Sequence, residues 1–133
     1  MTADHRPPPG LGPSAGADGH PVGPVAGSAT GSATVQRARV GDVREIKRLV
    51  DAYAGPILLE KTLANLYEDV TEFWVARLGE TVVGCGALHV FWEDLGEIRT
   101  VATDPRARRR GVGRLVCEEI IAHAVELGLH RLF

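Results

Sequence analysis

The sequence contains the stretch Thr100-Val-Ala-Thr-Asp-Pro-Arg-Ala-Arg-Arg-Arg-Gly-Val-Gly-Arg114, in which a strand end, a basic glycine loop and a helix start follow one another directly. Backbone N–H groups at a helix start lack partners within the helix, and together with the helix dipole they form a site for anions. Gly111 and Gly113 have no Cβ, so a phosphate can approach their backbone closely. Positive charge comes from Arg108, Arg109, Arg110 and Arg114. The stretch therefore predicts a site for a pyrophosphate or another polyanion.

The glycine spacing separates this loop from other nucleotide-binding motifs. Neither the GxGxxG of dinucleotide-binding domains nor the GK[ST] of a P-loop is present in it. What remains is RxxGxG, formed by Arg108, Gly111 and Gly113 after a strand that ends in Asp-Pro. The alternative is an arginine-rich, solvated loop before an ordinary helix. The elements on either side of the loop decide between these interpretations.

Towards the C-terminus, apolar residues recur at helical spacing from Val112 to Leu127, and Gly128 is a typical helix C-cap. The predicted apolar stripe consists of Val112, Leu115, Val116, Ile120, Ala124 and Leu127. The last five residues, Leu129 to Phe133, have the character of a strand start. We therefore expect a helix followed by the beginning of a fifth strand.

Three strands are predicted before the loop. Two β-rich runs, Glu72 to Leu78 and Thr81 to Phe91, are joined by Gly79-Glu80, which suits a tight hairpin turn. A third run extends from Leu95 to Thr103 and is ended by Asp104-Pro105. These runs predict an antiparallel meander that leads into the basic loop.

The N-terminal part of the ordered region predicts a strand and two helices. Val35 to Val40 alternates apolar and polar residues as a half-buried strand does. A helix is expected next, since Asp42 and Glu45 have the spacing of a capping box. Its core face is predicted to contain Val43, Ile46, Leu49, Val50 and Tyr53. Gly55-Pro56 breaks this helix in an exposed turn, and Ile57 to Tyr67 is predicted to form a second one.

The predicted order is β-α-α-β-β-β-α-β. It places the chain in the α/β (α+β) class, with a mixed sheet built from an antiparallel meander and a crossover helix. Because crossover connections return a strand parallel to its neighbour, the fifth strand should pair in parallel with the fourth.

Length, composition and charge limit the number of domains and the classes of partner that the chain can have. A chain of 133 residues with 44% hydrophobic content can form one domain with a single core. Residues 1–34 are rich in Pro, Gly, Ala and Ser without periodicity, which predicts a disordered leader before a domain over 35–133. The formal net charge of −2 argues against nucleic acid or an anionic membrane as a partner. No run of about 18 apolar residues could form a membrane span.

The two cysteines indicate a reducing compartment. Cys85 and Cys117 lie in different segments and lack the spacing of a zinc site. We therefore expect reduced thiols, no metal and a cytoplasmic protein. Both side chains are interpreted as small buried groups.

The RxxGxG motif in this order of elements resembles the coenzyme A binding motif of the GNAT acetyltransferases. The resemblance implies acetyl-CoA as co-substrate, with the pyrophosphate on the amides of Arg109 to Arg114. It also implies that the pantetheine arm lies along Ile98 to Thr103 and that a backbone N–H near Val101 holds the thioester carbonyl. The residues implied in cofactor binding are Val101, Ala102, Thr103, Arg108, Arg109, Arg110, Gly111, Val112, Gly113 and Arg114.

The resemblance also implies direct attack of an amine on the thioester, without a covalent enzyme intermediate. Cys85 and Cys117 are therefore not proposed as nucleophiles. The amine must lose a proton, and Glu97 matches a position at which many members of the family carry a general base. The alternative is that Glu97 only forms an ion pair on the sheet surface.

Several segments are similar to the short bacterial N-acetylglutamate synthases of arginine biosynthesis, over about Val35 to Phe133. They are Gly55-Pro-Ile-Leu-Leu-Glu-Lys61, Glu72-Phe-Trp-Val-Ala, Gly84-Cys-Gly-Ala-Leu-His89 and Glu97-Ile-Arg-Thr-Val-Ala102. The similarity implies L-glutamate as acceptor. Its carboxylates need cations, for which Lys61 and Arg99 are proposed, Arg99 because period-two counting places it on the face of Glu97. A solvated helix charge remains the alternative for Lys61. His89 is interpreted as a hydrogen-bonded core histidine, with a position lining the cleft as the alternative.

The family pattern continues past the fifth strand, so we expect this sequence to be a C-terminally truncated portion of the domain. No residue is assigned as the acid that protonates the leaving thiolate. Two rival functions stay open: an acetyltransferase for another amine, such as a polyamine, a drug or a protein N-terminus, and an inactive fragment that only binds coenzyme A or a partner. A homodimer stays open as well.

Overall fold

The computed structural model describes residues 32–55 and 60–133. These residues form five strands and three helices in the predicted order. None of the helices in this part of the chain is long and apolar enough to cross a membrane. The strands are β1 (Thr34–Arg37), β2 (Phe73–Leu78), β3 (Thr81–Trp92), β4 (Leu95–Thr103) and β5 (Arg131–Leu132), and the helices are α1 (Val43–Asp51), α2 (Leu63–Glu68) and α3 (Val112–Leu127).

The strands form one mixed sheet in the order β1-β2-β3-β4-β5. The first three pairings are antiparallel, and β5 pairs in parallel with β4 after the α3 crossover. The predicted meander, crossover helix and parallel return are therefore confirmed. Strand β4 and helix α3 have the predicted bounds, and Gly128 ends α3 in a left-handed conformation with φ +88°.

The sheet carries an apolar layer on each face. Helices α1 and α2 cover one face, where Ile46, Leu49 and Phe73 are almost completely buried. Helix α3 covers the other face through Val116 and Ile120, which are fully buried. The sheet therefore has no solvated face along its centre, which explains why β2 and β3 are apolar at consecutive positions rather than in alternation.

Two glycines of β3 allow α3 to lie close to the sheet. A Cβ at Gly84 would come within 2.5 Å of the Val112 side chain. At Gly86 a Cβ would lie 2.8 Å from Val116 and 3.1 Å from Ile120. Such separations are too short for carbon atoms, so α3 can occupy this position only because both residues lack a side chain.

A bulge interrupts β4 opposite Gly86. Cys85 pairs with Ala102 and Ala87 pairs with Arg99, so two residues of β4 stand opposite one residue of β3. One of the two, Thr100, has a positive φ of 57°. A β-branched residue rarely adopts this conformation, which costs roughly 1–3 kcal/mol and is retained where the surrounding structure enforces it.

The structure corrects three predictions near the N-terminus. The first strand spans Thr34–Arg37, one residue earlier at its start than predicted, and Val40–Asp42 is a 3-10 turn rather than the end of that strand. Asp42 does not cap α1 with its side chain. Its carboxylate instead accepts the backbone N–H of Arg39 at 2.8 Å and pairs with Arg77. The acidic residue at this position therefore closes the preceding turn and ties it to β2.

Four further predicted segments differ from the structure in their bounds. Helix α2 begins at Leu63, capped by Thr62, instead of at Ile57, and 57–59 lie outside the described residues. Leu127 is 53% exposed although it belongs to the predicted α3 stripe, because that stripe turns away from the sheet in the last helical turn. Strand β5 covers two residues of the predicted five. Residues 1–31 of the predicted leader lie outside the described residues. Strand β1 starts at Thr34, which is the last residue of that predicted leader.

We predict that Gly86→Ala destabilises the fold by about 1–3 kcal/mol, because the added methyl overpacks the contact between β3 and α3. The measurement is the midpoint of urea unfolding followed by circular dichroism. Gly41→Ala is the matched control, since a Cβ at Gly41 would meet nothing within 4 Å. Equal midpoints for the two variants would contradict the close approach of α3.

Candidate active site

The basic loop leads into the start of α3. Gly111 is the residue before the helix, with φ +70°, and Arg109 also has a positive φ of 66°. The Gly111 position offers no capping side chain. The N–H groups of Val112, Gly113 and Arg114 therefore have no partner inside the helix and stand at the positive end of its dipole.

The predicted cofactor residues of this loop differ in exposure. Arg108, Arg109 and Arg110 are exposed, while the Val112 side chain is buried against Gly84. Arg114 is exposed and pairs with Glu118 at 2.8 Å. No ion pair of Arg108, Arg109 or Arg110 occurs within residues 32–55 and 60–133. The loop thus presents three arginines and a helix N-terminus to the same solvent region.

Asp104 holds the base of this loop. Its buried carboxylate accepts the N–H of Arg106 at 2.9 Å, the Arg106 guanidinium at 2.9 Å and the Arg48 guanidinium at 3.2 Å. Hydrogen bonds from the Arg106 side chain and backbone, with a smaller contribution from Arg48, hold the pKa of Asp104 far below its usual range against the opposing effect of burial. The hydroxyl of Tyr53 donates to the carbonyl of Thr103 at 2.6 Å and fixes the strand end beside it.

The last residues of β4 lie between the bulge and the loop. Val101 points towards α3, where its side chain is 3.4 Å from a Cβ placed on Gly86, whereas Ala102 packs in the layer of α1 and α2. The ladder to β5 covers Leu95 and Gly96, with one further bond from the N–H of Ile98 to the carbonyl of Phe133 at 2.8 Å.

A cluster of charged side chains lies on the α2 side of the sheet, around Arg99. The guanidinium of Arg99 is 3.0 Å from Glu72, 3.8 Å from Asp69 and 3.9 Å from Glu97. Lys61 joins through Asp69 at 3.7 Å. The structure thus brings Lys61, Glu97 and Arg99 together, as three of six members of a network that continues with His89.

His89 belongs to this network rather than to the core. Its ring nitrogen Nδ1 is 2.8 Å from Glu72 and 3.2 Å from Arg99, and the side chain is 33% exposed. The prediction of a core histidine is therefore wrong in its burial, although the hydrogen bond is present. The register explains the position, since His89 stands directly opposite Glu97 across the β3–β4 ladder. Asp69 and Glu72 were not predicted as site residues. The signal that would identify Glu72 is the β2–β3 register, which pairs the next residue, Phe73, with Ala87 and so brings Glu72 near His89.

The charged cluster, the bulge and the basic loop follow one another along β4 and its C-terminal end. The charged cluster lies at Glu97 and Arg99, the bulge follows at Thr100 and Val101, and the basic loop begins after Thr103. At about 3.3 Å per residue, roughly 7 Å of strand separates Arg99 from Val101. Within the described part of the chain, no group of three or more His, Cys, Asp or Glu side chains is placed to hold a metal ion.

Residues 42–133 match the profile of the Acetyltransferase (GNAT) family. The chain belongs to this family. The bulged mixed sheet and its crossover helix are therefore the GNAT fold, as the loop motif predicted.

Named relatives refine this placement. An amino-acid acetyltransferase of Mycobacterium tuberculosis is 57% identical over 102 residues, which cover 74% of this chain and 59% of the relative. An uncharacterized N-acetyltransferase of Chlorobaculum tepidum is 35% identical over 74% of this chain and 64% of its own length. The GNAT chain thus spans about three-fifths of the length of these relatives.

Solved structures agree with the sequence relatives. A crystal structure from Mycobacterium tuberculosis, in complex with CoA, superimposes with a TM-score of 0.73 at 56% identity and covers 74% of this chain and 61% of that one. The N-acetylglutamate synthase of Neisseria gonorrhoeae, in complex with coenzyme A and N-acetyl-glutamate, gives a TM-score of 0.74 at 30% identity, with coverage of 77% and 24%.

We predict that Asp104→Asn destabilises the chain by about 2 kcal/mol at pH 7, because it removes the charge from several hydrogen bonds to a buried carboxylate. The folded pKa lies below the ordinary value near 4, so this stabilisation is complete above about pH 4 and is lost as the pH falls towards the folded pKa. Urea unfolding at several pH values should show the gap to the unmodified chain closing below about pH 4. Asp51→Asn, on an exposed pair, is the control, and a gap that does not change with pH would contradict the assignment.

We also predict that the native chain has one rapidly reactive thiol. Burial raises the pKa of Cys85 to about 12, against a weaker opposing effect of a backbone hydrogen bond from Ala102, and its Sγ lies 3.6 Å from the Thr100 carbonyl under the bulge. Cys117 is only partly buried, so a reagent can reach it although burial also raises the pKa of its thiol. A thiol reagent at pH 8 should modify one equivalent, and a second only after unfolding. Cys117→Ser should remove the rapid equivalent; a rapid equivalent that remains would show that Cys85 is accessible.

Proposed function

We propose that the chain carries an acetyltransferase site that moves the acetyl group of acetyl-CoA to the α-amino group of L-glutamate, the N-acetylglutamate synthase reaction of arginine biosynthesis. The observation that carries the proposal is the succession along β4 of a charged cluster, a backbone bulge and an anion-binding loop. The relatives named amino-acid acetyltransferase and N-acetylglutamate synthase support it.

Coenzyme A would bind across the end of β4 and the start of α3. The amides that begin α3 suit the pyrophosphate, and Arg108, Arg109 and Arg110 supply exposed positive charge for its oxygens. The pantetheine arm would follow Ile98 to Thr103 of β4, a strand end that Tyr53 fixes through the carbonyl of Thr103. Two solved relatives hold coenzyme A, which supports this placement.

Transfer would occur at the bulge. The amine nitrogen attacks the thioester carbon, the carbonyl oxygen becomes an oxyanion, and the carbon–sulfur bond breaks as the oxyanion collapses. A bulge directs a backbone N–H out of the ladder, so the amide near Val101 can stabilise the oxyanion. Glu97 lies four residues before it and supplies a carboxylate beside the incoming ammonium, which must give up a proton before it attacks.

Lys61 and Arg99 are the cations proposed to receive the acceptor. Both are already paired in the cluster, Lys61 with Asp69 and Arg99 with Glu72, Asp69 and Glu97. Three carboxylates against two cations make this surface less favourable for a second acceptor carboxylate. The observation favours, as a second candidate, an amino acid with one carboxylate and an uncharged side chain such as glutamine.

The first test is binding of coenzyme A by isothermal titration calorimetry. We expect binding that weakens with added salt, because pyrophosphate binding is partly electrostatic. Replacing Arg108, Arg109 and Arg110 together by alanine should weaken it at least about tenfold, since each charge-assisted hydrogen bond contributes about 1.5–3 kcal/mol. The matched control replaces Arg44 by alanine, an exposed arginine on α1. No binding by the unmodified chain would refute the proposed cofactor site.

The acceptor is tested by acetyl-CoA-dependent thiol release with a panel of amines. We expect release with glutamate, and Lys61→Ala or Arg99→Ala should raise its KM about 10–100-fold through loss of one charged contact. Lys47→Ala is the control, since Lys47 pairs with Asp51 on α1. Preference for glutamine would select the second candidate, and release with a polyamine alone would keep the fold and discard both amino acids.

A further inference from the structure

His89 is the one imidazole of the charged cluster in the described part of the chain, and the proposed function gives it no task. It lies on the face of the sheet that carries Glu97 and Arg99, directly opposite Glu97 in the β3–β4 register. Side chains at such opposed positions have Cβ atoms about 5 Å apart, so the imidazole and the Glu97 carboxylate are neighbours. An ammonium placed beside Glu97 is therefore within reach of His89.

Hydrogen bonding fixes which ring nitrogen carries the proton. Nδ1 is 2.8 Å from Oε1 of Glu72, a carboxylate oxygen that can only accept. Arg99 donates to the other oxygen of the same carboxylate at 3.0 Å. Because the shorter contact joins Nδ1 to a carboxylate oxygen that can only accept, we assign the hydrogen to Nδ1, and the longer 3.2 Å approach of the Arg99 guanidinium is then a contact without a hydrogen bond. This assignment leaves the lone pair of the neutral imidazole on Nε2. Glu72 holds the ring as a carboxylate holds the base in a catalytic triad.

We infer that His89 is the proton-accepting residue of the proposed site, and that its Nε2 takes the proton of the acceptor ammonium. The inference rests on the proposed function and narrows the role of Glu97 to that of the negative charge beside the ammonium. An imidazole titrates nearer neutral pH than a carboxylate, so it suits removal of a proton from an ammonium at pH 7 better.

The protons balance in this scheme. One ammonium proton moves to Nε2 of His89, and the free amine forms its bond to the thioester carbon. When the carbon–sulfur bond breaks, a second proton from the same nitrogen ends on the thiolate, which leaves as the thiol. His89 then returns its proton to solvent through its exposed edge, since the side chain is 33% exposed.

The charged groups that face His89 come from the turn before β2 and from β4. Glu72 precedes β2 and lies 2.8 Å from Nδ1, and Glu97 stands opposite His89 on β4. Arg99, also on β4, stands 3.2 Å from Nδ1. Asp69 reaches the ring only through Arg99, at 3.8 Å from its guanidinium. Phe91 packs edge-on against the His89 ring, with ring centroids 5.0 Å apart.

The test compares pH profiles of kcat/KM for His89→Asn and Glu97→Gln. Asparagine keeps a donor near the Nδ1 position for Glu72 but has no group that titrates. We expect His89→Asn to lose about 100-fold at pH 7 and to recover towards alkaline pH, where the acceptor loses its proton to solvent. In His89→Asn the acidic limb should move to higher pH, where it reports loss of the proton from the acceptor ammonium, whereas in Glu97→Gln it should keep its position. A limb that keeps its position in His89→Asn, or full activity of that variant, would overturn the inference.

His123→Asn is the matched control, since His123 lies on α3 beside Trp74, on the other face of the sheet, and should leave the rate unchanged. A measurement without turnover separates failure of this inference from failure of the proposed function. Nitrogen-15 chemical shifts of the His89 ring in the 133-residue chain should show the Nδ1–H tautomer at alkaline pH. The Nε2–H tautomer would overturn the inference whether or not the chain transfers acetyl groups, whereas the Nδ1–H tautomer without transfer would count against the proposed function alone.

Discussion

The contact between α3 and β3 is the constraint on which the other features depend. Gly84 and Gly86 let the helix approach the sheet until Val112 and Val116 touch the backbone of β3. This contact fixes the N-terminus of α3 beside the end of β4. The position of the short loop that joins them is therefore fixed at both ends. An anion site built from amides has to be rigid, because each amide must point at the ligand before the ligand arrives. Here the rigidity comes from core packing that lies away from the charges themselves.

The bulge in β4 has a consequence for the whole strand. In a regular strand Ile98 and Ala102 would share a face, but Ile98 packs with α3 and Ala102 packs with α1 and α2. The extra residue at Thr100 reverses the alternation, so the residues before the bulge and those after it serve different surfaces. Glu97 and Arg99 consequently reach the charged cluster, while Val101 closes the layer beneath α3. One residue with a positive φ thus separates the surface proposed for the acceptor from the strand end proposed for the cofactor.

Periodicity and turn chemistry sufficed for the order of elements, the bounds of β4 and α3, and the glycine cap of α3, because each depends on local signals. The departures come from contacts between distant segments. Asp42 has the spacing of a helix cap, yet Arg77 of β2 draws its carboxylate elsewhere. The bulge leaves no mark in the sequence pattern, since Thr100 and Val101 are ordinary strand residues. The charged cluster was found only in part, because Glu72 and His89 are 17 positions apart and meet through strand register.

Charge is distributed so that the basic loop and the charged cluster proposed to receive the acceptor remain distinct. At the base of the loop, Asp104 pairs with Arg48 and Arg106, whereas Arg108, Arg109 and Arg110 are exposed. On the acceptor side, Asp69, Glu72 and Glu97 surround Arg99, so its guanidinium is held in one orientation before any ligand arrives. An arginine held in this way loses less conformational entropy on binding than a free one, but it also offers a weaker field to a second anion. If Arg99 receives the acceptor as proposed, the same pairing that preorganises it limits how much negative charge the acceptor can carry.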